Sequence, residues 1–169
     1  MASHSMSRED IAKQYENYSI YVMLSSRGAN PGFHWGIFIP TKTPDGHLWH
    51  ATNREGGWKL DQRPSKNVPY SLSLVLAHKI GSVNNANWQT CIDTLNGIPA
   101  GPHPSPNTGE TFSCRTWVKD AIIALEKNGI ITLSKSIARI EETLLDAAAG
   151  YKDDVEVGGK IAKVKNSQI

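Results

Sequence analysis

The sequence predicts an α+β domain in which an antiparallel meander sheet packs against helices. Three observations carry that expectation. Runs of β-type residues separated by turn signals fill the first half of the chain, and runs with apolar residues at helical spacing fill the second. At 169 residues, 39% apolar and 20% charged, with 14 Gly and 9 Pro, the composition suits one folded core rather than a disordered or fibrous chain. Residues 1–150 read as a single domain, and 151–169 as a C-terminal edge strand or a flexible basic tail containing Gly158-Gly159.

In chain order, Ser7 to Asn17 predicts a short peripheral helix, with Ser7 as cap and Ile11 and Tyr15 as a narrow apolar stripe. Tyr18 to Leu24 and Phe33 to Ile39 are rich in β-branched and aromatic residues and are split by Gly28, Asn30, Pro31 and Gly32, which predicts adjacent antiparallel strands. After the turn from Pro40 to Gly46, His47 to Thr52 predicts a third strand. Gly56-Gly57 then precedes a further extended piece, Trp58 to Asp61, so that the sheet grows as a meander. Pro64 to Pro69 reads as loop, and Ser71 to Val83 favours strand over helix.

In the second half, Trp88, Cys91, Ile92 and Leu95 fall at i, i+3, i+4, i+7, the spacing of one buried helical face, and Asn96-Gly97 with Pro99 stops the helix. Ile98 to Thr111 is the longest irregular stretch. Cys114, Trp117, Val118, Ala121, Ile122 and Leu125 trace a second helix ending near Asn128-Gly129, with Ser113 or Thr111 available as cap. A third helix, capped by Ser134, carries Ile137, Ile140, Leu144, Leu145 and Ala148 and is expected to end at Gly150.

Several function classes fall away. A formal charge of +2 gives no basic field of the kind that nucleic acid or an anionic membrane surface demands. The apolar runs are far shorter than the roughly 18 residues of a membrane span. Met1 to Ser7 is short and polar and resembles no leader, which places the protein in the cytoplasm. Phosphate-loop, dinucleotide-binding and HExxH patterns are missing, and neither Cys91 nor Cys114 has a zinc-spaced partner, so no cofactor and no metal is expected.

The chemistry-bearing residues are one cysteine and two histidines. A first-turn position exposes Cys114 to backbone N–H groups and to the positive end of the helix dipole, both of which favour the thiolate. Cys91, mid-helix, is core. His34 opens a strand and alternates with Gly36 and Phe38, so a small neighbour lies beside an imidazole able to take and return a proton. His50, on the next strand, is placed to hydrogen-bond the second ring nitrogen of His34; Asp61 is the acidic alternative for that orienting role. His47 falls on the opposite face, and His4, His78 and His103 have no evident partner.

His34-Trp35-Gly36-Ile37-Phe38-Ile39, then Leu48-Trp49-His50-Ala51, then Phe112-Ser113-Cys114-Arg115-Thr116-Trp117-Val118 together resemble the circularly permuted papain-like thiol enzymes of the NlpC type. The pattern is closest to the lecithin retinol acyltransferase-like proteins. The PPPDE-type desumoylating peptidases resemble it more loosely, through the order His then Cys and through Gly56-Gly57-Trp58. The resemblance spans roughly Tyr18 to Gly129 and implies a permuted papain-like fold with His34 as base, His50 orienting it and Cys114 as nucleophile. Ser113 stands where those relatives have Asn, and Arg115-Thr116 where they have Glu-His; no C-terminal membrane helix follows. Phe112 and Trp117 are equally accounted for by helix packing, and Arg115 by a solvated surface position.

The expected function is therefore a thiol hydrolase that cleaves an amide, isopeptide or thioester bond through a Cys-His(-His) acyl-enzyme. An acyltransferase using the same thiol and a catalytically inactive papain-like binding module are the alternatives. The expected partner is an acyl, peptide or small-molecule amide substrate, without nucleic acid or a membrane span. Trp35, Trp49 and Trp58 are candidates for an exposed aromatic groove, although five Trp in a chain of this size are more often core.

Overall fold

A computed structural model describes residues 6–54, 56–156 and 161–169. His4 and Gly158-Gly159 lie outside the described residues. The described residues form a mixed α+β fold with four helices and a six-stranded, mostly antiparallel sheet. Helix α1 (Arg8–Lys13) precedes strands β1 (Ser19–Ser26), β2 (Phe33–Lys42), β3 (Asp45–Thr52) and β4 (Lys59–Ser65). A single 3-10 turn (Val68–Tyr70) leads to β5 (Leu74–Ser82). Helices α2 (Trp88–Asn96), α3 (Cys114–Lys127) and α4 (Ile137–Glu156) follow, and β6 (Lys163–Lys165) closes the described chain.

The sheet runs β4-β3-β2-β1-β5-β6. The expected meander holds for the first four strands, and β5 then returns to the free side of β1. That crossing makes β1 central. Ile20, Val22 and Leu24 pack on one side of it and Tyr21 and Met23 on the other, so the strand reads as a continuous apolar run instead of alternating. The larger core lies between the sheet and α2, α3 and α4. On the opposite face a smaller cluster gathers Tyr15, Tyr21, Met23, Phe38, Leu74 and Ala77.

Four expectations need correction. Strand β4 runs on through Pro64, which composition assigns to a loop; β4 is an edge strand, where a residue without an N–H costs no ladder bond. Helix α1 covers only six residues of the expected Ser7–Asn17 span, although Ser7 does cap it through a 3.1 Å bond from the Asp10 N–H. Helix α4 is capped by Ser136, whose Oγ accepts from the Arg139 N–H at 3.3 Å, rather than by Ser134. It also continues through Gly150 to Glu156, because Val155 still has the large core to pack against.

The turn that matters most opens α3. Ser113 Oγ accepts from the Thr116 N–H at 3.2 Å, and Thr116 Oγ1 accepts from the Ser113 N–H at 2.8 Å, a reciprocal cap that fixes the helix start at Cys114. Trp117, Val118, Ala121, Ile122 and Leu125, all wholly buried, then hold α3 against the sheet.

Candidate functional site

The site lies at the end of the sheet where β2 begins, β3 ends and β4 begins. His50 and Asp61 are direct cross-strand partners of β3 and β4, and His50 Nε2 is 2.8 Å from Asp61 Oδ2. The other ring nitrogen, His50 Nδ1, is 2.7 Å from His34 Nε2. The imidazoles meet edge to face, with ring centroids 5.0 Å apart. His50 and Asp61, offered by the sequence as alternatives for orienting His34, therefore act in series.

This chain of contacts dictates where the protons sit. An ionised carboxylate only accepts, so His50 must donate to Asp61 from Nε2–H. A neutral His50 then presents a lone pair at Nδ1, and His34 must donate to it from Nε2–H. The consequence is a neutral His34 whose Nδ1 carries a lone pair. Among the described residues that nitrogen has no hydrogen-bond partner.

Electrostatics keep both rings neutral. Burial pushes the His34 pKa down from 6.5 to about 4, assisted by the positive charge that His50, Arg54 and Arg27 would set against a second cation. Burial lowers His50 as well, against the opposing pull of Asp61. Asp61 also meets Arg63, Nε to Oδ2 at 3.4 Å, which shares its charge between two donors.

Gly36 makes room for this pair. A Cβ there would lie 3.2 Å from the His50 Cβ and 3.2 Å from the Trp49 carbonyl oxygen, tighter than ordinary contact on both sides. The small residue between His34 and Phe38 thus has a steric role in the approach of β2 to β3.

Cys114 is half-buried at the first turn of α3, and its Sγ lies 4.0 Å from the carbonyl oxygen of Phe33, the residue before His34. By peptide geometry this puts the sulfur within about 7 Å of the His34 Cα. Sulfur and imidazole flank the same Phe33–His34 stretch of backbone without a hydrogen bond between them. Phe33 and Cys114 pack against the helix-side core, whereas His34 alternates onto the open face with Gly36.

The residues around the thiol are held by ions. Arg115 bonds Glu110 at 2.5 Å and also bonds Glu141; Lys119, 5% exposed, bonds Glu110 at 2.6 Å and Glu141 at 3.3 Å. Arg115 is thus no solvated surface residue, because the loop before α3 and the first turns of α4 bring carboxylates to it. Lys119 and Arg115 hold the Glu110 carboxyl down at about 2. Buried Asp120 accepts from Ser105 Oγ at 2.6 Å and from Asn107 Nδ2 at 3.0 Å, which ties the long irregular segment to α3.

The other sequence candidates fall elsewhere. Trp35 and Trp49 are buried in the large core and form no exposed groove, since β2 and β3 turn them towards the helices; Trp58 packs edge-on against Phe112 with centroids 5.1 Å apart. Cys91 is wholly buried, and burial pushes its thiol up to about 11. His47 stacks on Trp49, and His78 turns Nδ1 to the Lys79 carbonyl at 3.1 Å. Arg54 and Arg63, which share a cavity with His34 and His50, carried no sequence signal. Among the described residues no cluster suited to a metal occurs, and no helix is long and apolar enough to cross a membrane.

A family model covers most of this architecture, matching residues 20–132. The chain belongs to DUF6540, a family of unknown function. The DUF6540 match holds His34, His50, Asp61 and Cys114, whereas α1, α4 and β6 lie outside it. No curated protein and no solved structure matches the chain.

Proposed function

We propose that this DUF6540 protein is a thiol hydrolase on a permuted papain-like fold, cleaving an amide, isopeptide or thioester bond through an acyl-enzyme at Cys114. One observation carries the reading. The Asp61–His50–His34 relay leaves a lone pair on His34 Nδ1, and the sequence resumes at the same end of the sheet with a cysteine in the first turn of a helix.

In the first step His34 Nδ1 takes the thiol proton and the sulfur attacks the acyl carbon. His34 is then an imidazolium hydrogen-bonded to His50, with the Asp61 charge at the end of the relay. The first-turn N–H groups of a helix lack intrahelical acceptors, and Ser113 occupies only that of Thr116; those of Cys114 and Arg115 suit the developing oxyanion. His34 returns its proton to the leaving amine or thiol. Water next gives a proton to Nδ1 as its oxygen attacks the thioester, and the released sulfur takes the proton back. His34 faces the open side of the sheet and Cys114 the helix side, so this step requires the start of β2 to turn the imidazole towards the sulfur when substrate enters. An amine or hydroxyl in place of that water would make the enzyme an acyltransferase by the same steps.

One observation favours a different reading, an inactive binding module: the sulfur contacts the Phe33 carbonyl rather than the imidazole. Alkylation separates the two. At about pH 6 an ordinary thiol is almost wholly protonated. Iodoacetamide is expected to label Cys114 at least tenfold faster than free cysteine, with His34→Ala abolishing the difference and buried Cys91 serving as the unreactive control. Labelling no faster than free cysteine, unchanged by His34→Ala, would leave the binding module.

A further inference from the structure

The open face of the sheet carries a cavity of about 380 Å³ that reaches the two imidazoles. Met23, Leu48, Val68 and Leu74 give it apolar patches, five serines and Asn67 line it as well, and Arg54 and Arg63 reach into its lining. Among the described residues that line it none is acidic and none is an aromatic ring other than the two histidines. Arg63 is partly committed to Asp61, and Arg54 makes no ion pair among the described residues. Among the described residues, two guanidinium groups against one carboxylate leave about one positive charge unmatched beside a lining of hydroxyl and aliphatic groups.

We infer that this cavity is a binding site for a small aliphatic carboxylate, held by Arg54 with Arg63 beside it. A carboxylate supplies one negative charge and a flat pair of oxygens, the match for the Arg54 guanidinium fork. A phosphate dianion would bring a second charge that the described lining does not answer. Nothing in that lining offers an aromatic face on which a nucleobase would stack. The volume lies near the lower end for small-molecule sites, which fits an aliphatic chain of several carbons. This carboxylate preference does not depend on the thiol-hydrolase reading, because Cys114 is not among the residues that line the cavity.

The test compares two ligands that differ in one group. Sodium hexanoate and hexanamide are titrated into the full-length Cys114→Ala protein, with the imidazole resonances of His34 and His50 followed by NMR. Hexanoate is expected to bind at least tenfold more tightly than hexanamide and to shift both rings. Arg54→Gln should bring the two ligands within twofold of each other, while Arg139→Gln, a surface change, preserves the preference. Equal affinities, binding of neither ligand, or a preference that survives Arg54→Gln would overturn the inference. Iodoacetamide labelling of the parent protein is independent of these titrations. An unreactive Cys114 with the hexanoate preference intact would remove the hydrolase and leave the carboxylate site; a reactive Cys114 without that preference would do the reverse.

Discussion

His50 and Asp61 face each other across β3 and β4, and the 2.8 Å bond between their side chains sets the proton position on a third residue two strands away from Asp61. If Asp61 holds His50 in the tautomer that accepts from His34, then Asp61→Asn weakens that hold, since an amide has both a donor and an acceptor to offer. We expect iodoacetamide labelling of Cys114 to fall by about 10–100-fold, the range typical of partners that orient a working imidazole, with far-UV circular dichroism unchanged. A rate equal to that of the parent would remove Asp61 from the relay.

Gly36 supplies a steric test of the same relay. Valine at this position brings at least one methyl group into a space where even a Cβ meets the His50 Cβ and the Trp49 carbonyl at 3.2 Å. The neighbours on one side are backbone, so the strain falls on the imidazole pair. Gly36→Val is expected to cost about 1–3 kcal/mol in urea unfolding and to slow Cys114 labelling, while Gly36→Ala does less of both. Unchanged stability in the valine variant would show that β2 and β3 have slack at this point.

The strands, the α3 stripe and the position of Cys114 were legible because each depends on local pattern: alternation, 3.6-residue spacing, and Ser113 ahead of an apolar run. His34 and His50 were placed by counting along adjacent strands. What sequence could not supply was anything decided by a distant segment. Pro64 fits a strand only because β4 has no outer neighbour, and Arg115 is half-buried only because Glu141 arrives from α4. The cavity of Arg54 and Arg63 depends on β5 returning beside β1, a crossing that no window of residues around either arginine contains.

Two buried and two half-buried histidines make the fold sensitive to acid in a defined window. Burial lowers His34 to about 4 and also lowers His47, His50 and His78, so below pH 6.5 the unfolded chain takes up protons that the folded chain binds less readily, for His34 down to about pH 4. Stability contributed by the neutral rings is fully present above about pH 6.5 and falls as pH drops through that window. Glu110 acts lower: its advantage is present above pH 4.5 and is lost towards pH 2. The Tm is expected to drop between pH 6.5 and 4, and His34→Asn should reduce that drop by on the order of 5 °C. A Tm flat to pH 4 would contradict neutral burial of these rings.

The ion cluster beside the thiol leads to the last prediction. Lys119 is almost fully enclosed and bonds both Glu110 and Glu141, so removing its ammonium leaves two carboxylates with Arg115 as the remaining cation. Breaking a buried pair costs about 3–5 kcal/mol, but both carboxylates are partly exposed and keep Arg115, so Lys119→Met should cost about 2 kcal/mol in urea unfolding. Because Lys119 is enclosed, raising the salt from 0.1 to 1 M should recover little of that loss. Arg115→Met removes the cation next to Cys114 and leaves Lys119 as the remaining tie on Glu110, so its expected signature is different: Cys114 labelling changes along with stability. If Lys119→Met were neutral, or if salt restored it fully, the cluster would be a solvated charge patch rather than the clasp that holds the loop and α4 to the first turns of α3.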